Sequence, residues 1–81
     1  TKPLIFRGSE MLINFSTSAR GYLRITIRGE RGDELDSIEI FGNQVDRVVD
    51  WQEDRLSQFE GKRVTIEFDM CDAHIYSFRF R

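Results

Sequence analysis

The chain has 81 residues with 12 basic and 14 acidic side chains, a formal charge of −2. It is therefore one domain, and it lacks the basic stripe of a nucleic-acid binder. One cysteine, Cys71, excludes an internal disulfide, and with His74 it supplies two ligands where a structural zinc site needs four.

No apolar run approaches the roughly 18 residues of a membrane span, and no signal peptide is evident, so neither nucleic acid nor membrane is an expected partner. A domain this small buries only about 60% of the surface its unfolded chain exposes. Stability then rests on packing of the seven Phe and one Trp, or on docking against a neighbour. The chain starts at Thr1 without an initiator Met, which suggests that residues 1–81 are one domain excised from the C-terminus of a longer protein.

Leu4-Ile5-Phe6 is a short apolar run closed by Gly8, an edge strand opened by Pro3, where proline is tolerated. Met11, Ile13 and Phe15 alternate with Leu12 and Asn14 and predict a second strand. Ser16 to Gly21 reads as a polar loop. Tyr22 to Arg28 is a clear strand, with Leu23, Ile25 and Ile27 inward and Tyr22, Arg24, Thr26 and Arg28 outward. Gly29 to Asp33 is a turn. Leu35 to Phe41 is a weaker strand carried by Ile38 and Ile40; Gly42-Asn43 breaks it, and Asp46 to Trp51 resumes. Arg55 to Glu60 predicts one helical turn that places Leu56 and Phe59 on the core, ended by Gly61.

The last stretch carries the strongest alternation. Arg63 to Met70 sets Val64, Ile66, Phe68 and Met70 on one face. His74 to Arg81 sets Tyr76, Phe78 and Phe80 against Ser77, Arg79 and Arg81. With the short polar link Cys71-Asp72-Ala73, the two arms predict a β-hairpin at the centre of the fold. Val64, Ile66, Phe68, Phe78 and Phe80 are expected to share one buried core.

Seven or eight short strands spaced by turn residues predict an all-β chain, an antiparallel β-sandwich with sheets roughly 10 Å apart. A small β-barrel is the alternative. Regular strands would leave Leu12, one of Ile40 and Phe41, and one of Val48 and Val49 pointing away from the core. Scattered singly such residues are ordinary; clustered on one sheet they make a docking surface.

Asn14-Phe15-Ser16-Thr17-Ser18-Ala19-Arg20-Gly21, then Val49-x-Trp51, then Leu56-x-x-Phe59-x-Gly61-Lys62-x-Val64, then Asp72-Ala73-x-Ile75-Tyr76-Ser77-Phe78 form a pattern that covers about Phe6 to Phe80. It resembles the C-terminal β-sandwich of bacterial glycoside-hydrolase-like proteins with a five-bladed propeller, of the family 32 type. His74 and Ile75 stand at that family's acidic and leucine positions, Asn43 at an aspartate and Cys71 at a basic position. The resemblance implies an accessory module whose partner is the catalytic propeller of the same polypeptide, with the catalytic carboxylates in that propeller.

Within the chain itself the chemistry of an enzyme is not legible. Asp50, Glu53 and Asp54 cluster around Trp51, but a charged loop beside one aromatic is most simply solvated. Ser16 and Ser18 lack a Gly-x-Ser-x-Gly elbow and are expected to bond the turn backbone. Gly29-x-x-Gly32 lacks the strand–loop–helix context of a phosphate loop. No catalytic residue, cofactor or metal ligand is assigned. Carbohydrate is the alternative partner, on an aromatic platform of Trp51 and Tyr22 flanked by Arg24, Asp50 and Gln52. Trp51 and Tyr76 are more simply core residues. The row Arg24, Arg28, Arg79 and Arg81 is expected to pair across strands with Glu67, Asp69 and Glu39.

Overall fold

The computed structural model describes residues 3–81. Among the described residues five strands form one antiparallel, curled sheet: β1 (Leu4–Ile5), β2 (Met11–Gly29), β3 (Glu34–Asp36), β4 (Asn43–Val48) and β5 (Arg63–Phe80). β5 and β2 lie side by side along nearly their whole lengths. β1 caps the far edge of β5, while β3 and β4 pair with successive halves of the other edge of β2.

An 18-residue strand drawn straight would reach on the order of 60 Å. The longest dimension of the molecule is 35 Å, so β2 and β5 bend together. The bend falls where Ser18–Gly21 of β2 bulge opposite Asp72, between the register pairs Thr17↔Ala73 and Tyr22↔Cys71. Asp72 holds φ +48°, outside the extended region.

This corrects the predicted hairpin. Arg63–Met70 and His74–Phe80 do not pair with each other; they are one strand, and both halves pair with β2. The short polar link bends the strand without reversing it. The same bend accounts for the strand count, because each long strand reads in sequence as two. The structure thus has an all-β antiparallel fold, a half-barrel in which one sheet curls over its own core.

Alternation in β2 sends Met11, Ile13, Phe15, Leu23, Ile25 and Ile27 into the concavity, each of them 0% exposed. Val64 and Ile66 join them, but Phe68, Phe78 and Phe80 pack against this cluster only half-buried. The core therefore centres on β2 rather than on the final segment. The predicted helical turn is present as a 3₁₀ turn, Leu56–Phe59, with Leu56 and Phe59 buried and Gly61 beyond it at φ +76°.

Ser37 is the buried polar residue of this core. Its Oγ accepts from Ile25 N–H (2.8 Å) and donates to the Ile38 carbonyl (2.9 Å), so the hydroxyl is satisfied. Ser37 thereby takes the inward place expected of Ile38, which is exposed, while Ile40 stays buried.

Candidate functional site

The residues predicted to form a sugar platform do not share one face. Trp51 pairs with Ser37 through an isolated bridge and packs against the core cluster. Its Nε1 is buried, and no hydrogen-bond acceptor reaches it among the described residues. Tyr22 alternates with buried Leu23 and so lies on the outer face of β2, with the Arg24 guanidinium 5.2 Å from its ring centroid. Arg24 also reaches Glu39 at 3.9 Å.

Asp50 and Gln52 are exposed beside Trp51, and both serve the local backbone. The Asp50 carbonyl accepts from Ile38 N–H (2.9 Å), Gln52 N–H donates to the Asp36 carbonyl (2.9 Å), and Gln52 Nε2 donates to the Ser37 carbonyl (3.4 Å). A cleft of about 270 Å³ opens next to them, lined by Glu10, Val48, Asp50, Trp51, Glu53 and Asp54. A larger cleft of about 520 Å³ lies between the Gly29–Asp33 turn and the 3₁₀ turn, walled by charges of both signs such as Glu30, Arg31, Lys62 and Arg63. No cluster of three or more metal-ligating side chains occurs among the described residues.

A feature that sequence reasoning missed sits on the outer face of the bent sheet. Register runs Asn14↔Ser77 and then Phe15↔Ile75, so Tyr76 is an extra residue in β5. The bulge turns Tyr76 outward, 69% exposed, instead of into the core where alternation placed it. Its hydroxyl lies 3.0 Å from Ser16 Oγ. Ser16 is also the register partner of His74, far off in sequence.

Across Asn14 a second irregularity interrupts the pairing of β2 with β4, with Asp46 at φ +52°. One side chain ties the two together: Asn14 Nδ2 donates to Ser77 Oγ (2.7 Å) and Asn14 Oδ1 accepts from Asp46 N–H (2.8 Å). Inward residues spaced three apart, Ile75 and Phe78, were the trace of this bulge in the sequence.

The exposed arginines pair only partly as expected. Arg28 meets Glu67 at 2.9 Å and Glu34 at 3.2 Å, whereas Arg79 reaches Asp46 (3.5 Å) and Arg81 reaches Glu10 (2.8 Å). Such solvated pairs each contribute about 0.2–1 kcal/mol, so they tune the face rather than hold the fold.

Four of the large apolar side chains that stay exposed, Ile38, Phe41, Val45 and Val48, follow one another in β4 and the segment that leads into it. Ile40 and Val49 turn into the core, leaving Phe41 and Val48 outside it. Phe41 is 62% and Val45 81% exposed, with Ile38 and Val48 beside them in the same stretch. Leu12, on the same side of β2 and opposite Val48, is covered.

Trp51 makes a direct test of the two partner classes. Because it packs on the core, its fluorescence in the free chain is expected to be blue-shifted and unchanged by glucans or fructans. Trp51→Ala is expected to lower the melting temperature, and a red-shifted indole quenched by a glycan would reverse the assignment. No protein-family model matches the chain, and comparison with curated proteins and with solved structures finds no match either.

Proposed function

We propose that this chain is a non-catalytic accessory β-domain of a glycoside-hydrolase-like protein that packs against the catalytic propeller of the same polypeptide and stabilises it. The observation that carries this reading is the run of exposed apolar residues Ile38, Phe41, Val45 and Val48, in β4 and the segment that leads into it. Exposed apolar residues concentrated in one segment suit a surface that a neighbouring domain covers. The sequence resemblance described above supplies the kind of partner. In that setting, the curled sheet with its two bent strands would serve as the accessory β-sandwich of seven or eight short strands that the sequence suggests, the long strands each counting as two. An independent carbohydrate-binding module is the alternative, and it has no common face for Trp51 and Tyr22.

The test is a triple variant, Phe41→Ser, Val45→Ser and Val48→Ser. These side chains are exposed, so the isolated domain should change by no more than about 0.5 kcal/mol per site. Covering a Phe or Val against a partner is worth about 1.5–3 kcal/mol each. Calorimetry of the polypeptide that joins propeller and domain should then show a melting temperature lower by several degrees than the unsubstituted polypeptide. An unchanged two-domain melting temperature would sink the docking reading.

A further inference from the structure

The edge of β5 that faces away from β2 is open. β1 covers its start, with Leu4↔Val64 and Ile5↔Arg63. Among the described residues no strand pairs with this edge from Glu67 to Phe80. An antiparallel ladder alternates residues that bond their neighbour with residues that do not, so bonds elsewhere reveal which groups point into the open.

Leu23 exchanges both bonds with Ile40 at 2.8 Å, and Ser37 N–H donates to the Ile25 carbonyl at 2.8 Å. Tyr22, Arg24 and Thr26 therefore turn to β5, where their register partners are Cys71, Asp69 and Glu67. Phe68 and Met70 are left facing outward. At the other end Arg81 and Glu10 exchange both bonds at 3.0 Å, so Arg79 with Leu12 is the next bonded pair, and Phe78 and Phe80 face outward.

We propose that this edge pairs with the same edge of a second copy, antiparallel about a two-fold axis at His74. In that register Phe68 lies opposite Phe80, Met70 opposite Phe78 and Ala73 opposite Ile75. Phe68, Met70, Phe78 and Phe80 thus each meet an outward-facing backbone. The irregular residues Asp72 and Tyr76 flank His74 symmetrically, so the bend of one strand meets the bulge of the other instead of a straight ladder.

Charge agrees with the same register. The open edge carries Glu67 and Asp69 before the bend and Arg79 after it, with Arg81 just beyond β5, which sets Asp69 opposite Arg79 and Glu67 opposite Arg81, twice each. Only antiparallel pairing of like edges does this; a parallel pair would oppose Glu67 to Glu67. Phe68, Ile75, Phe78 and Phe80, half-buried on the concave side, and the exposed Met70 would gain cover from their copies across the seam. A closed two-fold interface of this kind is self-complementary, so the β5 edge is used up within one dimer and does not propagate. The seam lies across β2 from the β4 edge assigned above to a neighbouring domain, so either assignment can fail without the other.

Sedimentation velocity of the chain, of Asp69→Arg, of Arg79→Asp and of their equimolar mixture tests the proposal, with circular dichroism confirming that each is folded. The wild-type chain is expected to show twice its 9.6 kDa mass as concentration rises to about 1 mM, a concentration reachable for weak association. Each single variant should stay monomeric, because it opposes like charges twice. The mixture should recover the doubled mass, since the edge of the Asp69→Arg variant is complementary to that of the Arg79→Asp variant.

Met70→Pro removes an amide that faces the seam, at an edge position where proline is tolerated; it should abolish association, and Met70→Ala should retain it. A wild-type chain that remains monomeric at about 1 mM, or single variants that associate as wild type does, would overturn the proposal.

Discussion

Phe15→Ala is expected to remove a large fraction of the chain's folding stability. Phe15 is 0% exposed, on the half of β2 that carries β4 on one side and β5 on the other. Removing a buried phenyl ring costs about 3–5 kcal/mol, part of it the cavity that the neighbours cannot fill. At roughly 0.05–0.15 kcal/mol per residue, a domain of this length has only about 4–12 kcal/mol in total. Phe78→Ala should cost less, because Phe78 is only half-buried and its neighbours can relax toward solvent. Urea unfolding followed by Trp51 fluorescence compares the two. A Phe78→Ala variant less stable than Phe15→Ala would return the centre of the core to β5.

The second large effect is expected at Gly21→Ala. Gly21 ends the β2 bulge at the point where the two long strands bend together. A Cβ there would stand 2.4 Å from the Asp72 carbonyl oxygen and 2.7 Å from that of Cys71. Both contacts are with backbone, so no side chain can swing aside; β5 itself would have to move. Overpacking of this kind costs about 1–3 kcal/mol, and the bend that gives the sheet its concavity would open. Gly32→Ala provides the contrast, because nothing lies within 4 Å of the added methyl and only its φ of +88° is strained. Thermal melts of both should place Gly21→Ala lower. Equal melting temperatures would mean that the bend is not held by this close approach.

Much of the local structure was legible in the residues. Two-residue alternation in Met11–Phe15 and Tyr22–Arg28 identified which side chains enter the core, and burial follows it without exception at Leu23, Ile25 and Ile27. Leu56 and Phe59, spaced three apart before Gly61, marked the 3₁₀ turn and its buried face. These succeed because a side chain's face depends on spacing within one element, which the chain carries by itself.

What tertiary structure decided is everything that depends on which strand lies beside which. The link at Cys71–Ala73 suits a reversal as well as a bend; β2, running alongside both halves of β5, makes it a bend. Tyr76 left the core because Asn14 pairs with Ser77, leaving room for one extra residue in β5. Trp51 and Tyr22 parted because one packs on the core while the other stands on the outer face of β2. The sequence by itself determined an antiparallel all-β chain and most of its inward-facing residues. Pairing decided the half-barrel, its open edges and its exposed surfaces, because the register of β2 with β5 joins residues 35 to 69 apart through main-chain hydrogen bonds that every residue type makes alike.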